Sequence, residues 1–269
     1  MVTKGSPIGP PPTATRHTGE VKRSAVRPSP LFIGLLVVTI GGAVLTLVDA
    51  NAAVVTGTVL FVLAGWAVSL CLHEFGHAFV AYKGGDYSVR DKGYLTLDIR
   101  HYTDPVLSIV LPLVLLAFGG IPLPGGAVWI NHHALRSKKV ESLVSLAGPL
   151  SNLILGGLLV AAVALFHPPL MLAAALSYLA LLQILAFVLN ILPVPGLDGW
   201  GIWEPFMSYQ AQQFGAKARP WAPLILFAAL IGLPPVSDLF FDLAYGVFDL
   251  VGGNRGYAAR GFVNFMFWR

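Results

Sequence analysis

The chain has few charged residues and a single cysteine. Only 11% of its 269 residues are Asp, Glu, Lys or Arg, whereas an ordinary soluble domain carries about 25%. This shortage, with a mean hydropathy of +0.74, excludes a conventional soluble domain and indicates an integral membrane protein. Because Cys71 is the only cysteine, no intrachain disulfide can form. The net charge of +4 lies in the N-terminal segment and the loops, which is typical of membrane topology and does not predict nucleic-acid binding.

Residues 1–30 contain no long hydrophobic run. They are rich in Pro, Gly, Ser and Thr, carry scattered Lys and Arg, and predict a disordered, basic, cytoplasmic tail. The first apolar run, residues 31–48, predicts a transmembrane helix, and with its outer loop this region extends from residue 31 to residue 53. A cleaved signal peptide is the competing interpretation, because Ala-Asn-Ala at residues 50–52 resembles a cleavage site. The run is long for a signal peptide, which favours a retained helix.

Three further apolar runs, residues 54–82, 143–166 and 170–192, are long enough to cross a bilayer. Two shorter runs, residues 221–233 and 239–252, could form a hairpin, or one span with an interfacial helix. Basic residues follow the second helix and also end the chain, so we expect both termini on the cytoplasmic side. The fold is therefore expected to be an all-α polytopic membrane protein with five to six transmembrane helices.

The region between the second helix and the next core helix, residues 84–130, has a different pattern. Residues 84–100 contain alternating, strand-like pieces and predict a small β-sheet at the membrane surface. Residues 105–130 are apolar but are interrupted by Pro112 and by two Gly-Gly pairs, which favours a re-entrant hairpin. A full crossing is the alternative, and it would place the following basic residues outside the cell.

Residues 73–77, His-Glu-Phe-Gly-His, form an HExxH motif inside the run of residues 54–82. On a helix, His73 and His77 share a face and can bind one metal ion together. Glu74 is the only formal charge in this run, and a carboxylate at bilayer depth costs about 2.5–3.5 kcal/mol, so such residues are usually functional. Beside a zinc site, Glu74 is placed to act as a general base on water. The competing interpretation is a pair of packing histidines with an interior glutamate.

A catalytic zinc site usually has a third protein ligand. Asp198 is the candidate, because it follows the helix of residues 170–192, whose end is expected at the same membrane depth as His73. Two prolines break that helix, and Gly199 permits a tight turn beside the carboxylate. An ordinary loop aspartate is the alternative. The rival ligands are His101, His132, His133 and His167.

These residues together resemble the site-2 protease family of intramembrane zinc metalloproteases. Three blocks match, and they cover roughly residues 54–199. They are the HExxH motif, the sequence AGPLSN at residues 147–152, which is similar to the family's AGPxxN element, and the sequence NILPVPGLDG at residues 190–199, which looks like the family's NxxPxxxxDG signature. The three blocks together are far more specific than HExxH alone.

The resemblance implies that His73, His77 and Asp198 bind one Zn²⁺ per chain and that Glu74 is the general base. It also makes Asn152 a candidate catalytic residue, which holds the substrate or the developing oxyanion. Helix–helix hydrogen bonding is the alternative role for Asn152.

The resemblance also divides the chain. Residues 54–199 correspond to a catalytic core that contains the strand and re-entrant region of residues 84–130, and residues 200–269 form C-terminal membrane-associated segments. Residues 105–130 resemble the family's membrane-dipping hairpin, which is thought to present the substrate as an extended strand. The chain is expected to be a compact form without a PDZ domain or another appended domain.

The expected function is hydrolysis of peptide bonds within or near the transmembrane segment of single-pass or other membrane proteins. The alternatives are an inactive or non-proteolytic metal-binding membrane scaffold, a protease whose zinc domain lies outside the bilayer, and a transporter. The presence of both Glu74 and Asp198 argues against an inactive homologue. A transporter would require more polar residues inside the membrane. The identity of the substrate and the oligomeric state are not indicated.

Overall fold

The computed structural model describes residues 26–102 and 128–268. Within these ranges it contains eleven α-helices, three short 3-10 segments and no β-strand. The α-helices in chain order are α1 (Pro30–Leu45), α2 (Asn51–Gly84), α3 (Ser88–Asp91), α4 (Ile99–Tyr102), α5 (Lys138–Phe166), α6 (Leu170–Ile191), α7 (Asp198–Trp203), α8 (Tyr209–Ala218), α9 (Ala222–Gly232), α10 (Pro234–Leu250) and α11 (Arg255–Phe265).

Local sequence signals account for the ends of the long helices. Ser29 caps α1 and Ser137 caps α5, each accepting a hydrogen bond from the backbone N–H three residues further on. Gly85 follows the last residue of α2, and its φ of 123° is a conformation that favours glycine. His167 follows the last residue of α5 and adopts a left-handed conformation just before two prolines.

α2 is the central helix of the fold. It packs against α1, α5 and α6, and α5 and α6 also pack against each other. The contact with α1 depends on small residues, since a Cβ on Gly57 would lie 2.7 Å from the carbonyl oxygen of Gly42. α11 packs on α6, and the short helix α7 packs on α5 and on the end of α6. This last contact brings the residues after α6 to the face of α2 that carries the HExxH motif.

Three helices, α2, α5 and α6, are long and apolar enough to cross a bilayer, and α8 with α9 could make a fourth span that bends by 63°. The chain is therefore a multi-pass membrane protein. The prediction of five to six transmembrane helices is wrong for the described residues. α1 has only 16 residues and α10 only 17, whereas a crossing needs about 20. Apolar composition identified these segments, but composition alone does not give the length of a helix.

The predicted β-sheet in residues 84–100 is also wrong, because these residues form α3, a 3-10 turn and the start of α4. The Asp86 carboxylate accepts hydrogen bonds from the backbone N–H and the hydroxyl of Ser88, at 3.0 and 2.6 Å. Asp98 accepts one from the backbone two residues further on, at 3.1 Å. Such side-chain bonds favour turns and helix starts over strands, and the alternating pattern does not reveal them.

Two predictions lie largely outside the described residues. The re-entrant hairpin of residues 105–130 is described only from residue 128, and the N-terminal tail of residues 1–30 only from residue 26. Just before α1, the backbone N–H of Ser29 donates to the carbonyl of Thr96 at 2.8 Å, so the start of α1 lies beside the 3-10 turn. The division of the chain into four regions remains a prediction.

Candidate metal centre

α2 places His73 and His77 one turn apart on the same face. Both side chains are buried, their ring centroids are 4.8 Å apart, and their Nε2 atoms are 3.1 Å apart. The four-residue spacing therefore directs the two ring nitrogens to one point, as expected for an HExxH motif on a helix.

α5 holds the two imidazoles through their other ring nitrogens. The Nδ1–H of His77 donates to the backbone carbonyl of Val144 at 2.7 Å, and the Nδ1–H of His73 donates to Asn152 Oδ1 at 2.5 Å. Because a carbonyl oxygen can only accept, both neutral rings carry their proton on Nδ1 and direct a lone pair from Nε2 toward each other. This tautomer is the one that can bind a metal through Nε2.

α7 brings Asp198 to the same point. Its two carboxylate oxygens lie 3.2 Å from His73 Nε2 and 3.4 Å from His77 Nε2. The three residues form one group whose ligand atoms all lie within 4.8 Å of one another. The side chain of Asp198 is 24% exposed, against 7% for His73. Solvent therefore reaches the group mainly on the side of α7, whereas α2 and α5 shield the histidines.

The turn between α6 and α7 places Asp198. Within it, the backbone N–H of Leu197 donates to the carbonyl of Val194 at 2.9 Å, and Gly196 takes a φ of 97°. Gly199 was expected to permit this tight turn, but it has a different role. A Cβ on Gly199 would overlap the last two backbone carbonyl oxygens at the end of α6, so α7 packs there only because Gly199 has no side chain.

Gly148 provides the space for the imidazoles. A Cβ at this position would overlap the Nε2 atoms of both His77 and His73. Gly148, Asn152 and Gly156 are spaced four residues apart and therefore share one face of α5. Gly148 admits the rings, Asn152 bonds one of them, and Gly156 lets α6 approach, since a Cβ on Gly156 would lie 3.0 Å from a side chain of α6.

The group fits a zinc ion. Two Nε2 lone pairs and a carboxylate face one another with no donor hydrogen among them, an arrangement that repels itself unless a cation lies at its centre. A tetrahedral zinc with Zn–N bonds of about 2.0–2.1 Å requires ligand atoms about 3.3–3.4 Å apart. The observed separations are 3.1, 3.2 and 3.4 Å. The cofactor is therefore Zn²⁺, with His73, His77 and Asp198 close enough to bind one ion.

Glu74 lies beside the group and is 3% exposed. The backbone of Val128 hydrogen-bonds its carboxylate, while Oε2 has no hydrogen-bond partner among the described residues. A buried polar atom without a partner is costly and calls for an explanation, such as a water or a reacting group that it meets. The geometry is compatible with a general base, and the role of Glu74 remains a prediction.

Asn152 uses both ends of its amide within the protein. Its Oδ1 accepts from His73, and its Nδ2 donates to Gln183 Oε1 at 2.8 Å. This arrangement favours an indirect role, through His73, over contact with a substrate or an oxyanion. It also agrees with the alternative of helix–helix hydrogen bonding, because Gln183 belongs to α6. The catalytic role of Asn152 remains a prediction.

The rival histidines lie away from this group. All four are exposed, and among the described residues only His73, His77 and Asp198 form a group that could hold a metal. The rivals are His101, His132, His133 and His167. Two residues that hold the centre escaped the sequence analysis. Val144 acts through its backbone carbonyl, which no sequence pattern marks, whereas Gln183 is an amide inside an apolar helix, and this signal could have identified it.

Comparison with known proteins agrees with this geometry. The chain is 45% identical over 257 residues to a protein of Mycobacterium tuberculosis named "Putative zinc metalloprotease Rip2", with 94% of this chain and 98% of that protein covered. It is 41% identical over 251 residues to a protein of the same name from Mycolicibacterium smegmatis, covering 91% and 96%. It is 36% identical over 192 residues to "Putative zinc metalloprotease YwhC" of Bacillus subtilis, covering 65% and 82%. No protein-family model and no solved structure matches the chain.

Proposed function

The chain belongs to the site-2 protease family of zinc metalloproteases, and from this premise we propose that it hydrolyses peptide bonds within or near the transmembrane segments of membrane proteins. Its relatives and its apolar helices make it a membrane zinc metalloprotease. The position of the metal-binding group supports the finer proposal. His73 and His77 lie within α2, an apolar helix of 34 residues that is long enough to cross the membrane.

The chemistry follows from the residues around this group. When bound, zinc supplies polarisation of a peptide carbonyl and acidification of a water. Glu74 takes a proton from the attacking water on its unpartnered oxygen and passes it to the leaving amine. The Val144 carbonyl and Asn152 keep the protons of the two imidazoles on Nδ1 and hold the rings in place.

The proposed substrates are single-pass or other transmembrane proteins. A substrate helix encloses its carbonyl groups in backbone hydrogen bonds, so it must unwind locally before attack. Water is proposed to enter from the side of α7, because the Asp198 side chain is the most exposed of the three ligands. The surrounding lipid is the other partner, and nothing supports a nucleic acid.

The proposed orientation has the C-terminal end of α2 in the cytoplasm, because the Lys and Arg that follow it are typical of cytoplasmic flanks. The hydrogen bond from the Ser29 N–H to the Thr96 carbonyl puts the basic segment before α1 on the same side. The metal centre then lies near the cytoplasmic surface, since Lys83 is in the last turn of α2 and Arg90 lies in α3. Water therefore needs only a short path to reach Glu74.

Cleavage by purified protein in lipid vesicles tests the function. Wild-type protein and Glu74→Gln are compared on a single-pass substrate and on an unstructured soluble protein, and zinc content is measured in both variants. We expect Glu74→Gln to retain zinc and to lose cleavage, because the amide cannot accept the proton of water. We expect the wild type to cut the single-pass substrate within or beside its transmembrane segment.

The other outcomes separate the alternatives. Cleavage of the soluble protein alone would indicate a membrane-anchored metalloprotease that does not act on transmembrane segments. Zinc binding without cleavage of either substrate would support the metal-binding scaffold. Undiminished cleavage by Glu74→Gln would remove Glu74 from the mechanism.

A further inference from the structure

We propose that Gln183 is a positioning residue of the zinc site, which orients the Asn152 amide and thereby sets the tautomer of His73. Three side chains form a buried row from α2 through α5 to α6. The Nδ1–H of His73 donates to Asn152 Oδ1, and Asn152 Nδ2 donates to Gln183 Oε1. Gln183 is 0% exposed and touches neither the metal ligands nor the reacting groups through a hydrogen bond.

The direction of these hydrogen bonds decides whether His73 can bind metal. A reversed Asn152 amide would present its NH₂ group to His73 Nδ1, and this nitrogen would then have to accept. The proton of the neutral ring would move to Nε2, where it would occupy the lone pair that zinc requires. The acceptor Oε1 of Gln183 favours the amide orientation that keeps Asn152 Oδ1 toward the ring.

A role limited to joining α5 and α6 by a hydrogen bond explains Gln183 less well than a role in orienting Asn152. Its other end, Nε2, is buried and has no hydrogen-bond partner among the described residues. A glutamine whose role is to join helices gains most when both ends of its amide are bonded. Here only the acceptor that faces Asn152 is used, and the NH₂ group is left without a described partner. The hydrogen bond of the Gln183 amide within the described residues is therefore the one that it accepts from Asn152.

The fold also brings the two amides together. Gly156 lies one turn beyond Asn152 on the same face of α5, and its missing Cβ allows α6 to approach at Ala180, Gln183 and Ile184. The close approach of α5 and α6 therefore occurs at the level of the hydrogen bond between Asn152 and Gln183. The proposal rests on the zinc site and not on the nature of the substrate.

Zinc affinity of the full-length protein in detergent micelles or lipid nanodiscs tests this role. Gln183→Met removes the acceptor while it keeps an unbranched side chain, and Gln183→Glu keeps an oxygen acceptor at the same place. Ile184→Met is the matched control, because Ile184 is equally buried and packs against Gly156 without a polar contact. Affinity is measured by competition with a zinc chelator of known affinity.

We expect Gln183→Met to weaken zinc binding by about tenfold, the lower end of the range for partners outside the ligand shell. Gln183→Glu and Ile184→Met should bind zinc like the wild type. Wild-type affinity in Gln183→Met, or an equal loss in Ile184→Met, would overturn the proposal. Normal zinc affinity in the wild type without cleavage of any membrane substrate would instead overturn the proposed function and leave the role of Gln183 standing.

A second measurement on metal-free protein applies even if Gln183→Met is poorly stable. Nitrogen NMR of protein labelled in its histidine rings reports which ring nitrogen carries the proton. We expect His73 of the wild type to be protonated on Nδ1. In Gln183→Met we expect the His73 ring to exchange between its two neutral tautomers. A neutral His73 ring whose single proton lies on Nε2 in the metal-free wild type would contradict the proposal directly.

Discussion

The histidines and the aspartate of the metal centre are held by different means. His73 and His77 each donate a hydrogen bond to α5 through Nδ1. The Asp198 carboxylate oxygens lie 3.2 Å and 3.4 Å from Nε2 of the two imidazoles, and the position of this carboxylate follows from the backbone turn before α7. An imidazole must have its proton on the correct nitrogen, so it needs a partner that fixes the tautomer. A carboxylate has two equivalent acceptor oxygens, so it needs only to be brought near.

The two sides also differ in the length and packing of the helices that carry them. The histidine side belongs to helices of 34 and 29 residues, α2 and α5, which pack closely. The aspartate side is a helix of six residues that follows a turn rich in proline and glycine. A metal ion bound between the two sides would join the closely packed helices α2 and α5 to the shorter and less constrained helix α7. Changes on the two sides should therefore have different consequences.

The largest effect is expected from Gly148→Ala, which breaks the histidine side. The new Cβ would overlap both Nε2 atoms, and overpacking of a dense interior costs about 1–3 kcal/mol. Zinc binding and cleavage should both be lost while the protein remains helical, as measured by metal analysis and circular dichroism. Gly157→Ala on the same helix is the control, because its Cβ would meet nothing within 4 Å. Retention of one zinc per chain in Gly148→Ala would show that a Cβ at this position does not displace the imidazoles.

Gly199→Ala acts on the aspartate side and should have a smaller effect. Its Cβ would overlap the carbonyl oxygens at the end of α6, so α7 must shift and carry Asp198 away from the imidazoles. The two histidines remain in place, so weakened zinc binding is expected in place of complete loss. Chelator competition measures the affinity, with Gly232→Ala as a control that meets nothing within 4 Å. Equal losses in Gly148→Ala and Gly199→Ala would remove the distinction between the two sides.

Substitutions at Asn152 test whether tautomer control is the function of the histidine side. Asn152→Leu removes the acceptor of the His73 Nδ1–H, and we expect zinc affinity to fall by about 10–100-fold. Asn152→Asp keeps an acceptor oxygen at the same place and should retain most of the affinity. If both substitutions weaken zinc binding equally, Asn152 has a role other than holding the His73 proton.

Removal of zinc should affect the two sides unequally. Without the cation, the three acceptors repel one another, and α7 is then held by the backbone turn before it and by its packing on α5 and on the end of α6. We expect hydrogen exchange of the α7 amides to increase by about tenfold, which corresponds to about 1.4 kcal/mol of lost protection. The amides of α2 around the motif should remain protected. Uniform loss of protection in α2 and α7 would show that the two sides are equally stable.

Part of this centre was predictable because it is local. The four-residue spacing of His73 and His77 determines a shared helix face wherever the helix lies. Asp198 was also identified, from the broken helix before it and from the family signature, and the structure brings it to both histidines. The role of Gly199 was only partly predictable. The role of Gly199 depends on carbonyl oxygens at the end of another helix, which its own sequence neighbours do not indicate.

The wrong predictions arose where a pattern had more than one structural outcome. Residues 84–100 alternate as a strand does, but Asp86 and Asp98 cap turns through their carboxylates. The count of transmembrane helices failed because α1 and α10 are apolar or partly apolar but short. In both cases the prediction used the average pattern of a segment. Single side-chain hydrogen bonds in residues 84–100, and the positions of helix ends in α1 and α10, decided the actual structure.

The sequence by itself determined that this is a membrane protein, that two histidines and a glutamate share one helix, and that zinc is the metal they suit. Those conclusions need only composition and the geometry of one helix. Tertiary structure alone decided that Gly148 makes room for the imidazoles, that the Val144 carbonyl holds His77, and that Asn152 is bonded to Gln183. These contacts join residues far apart in the chain. They depend on how closely the helices pack, which spacing along one helix does not specify.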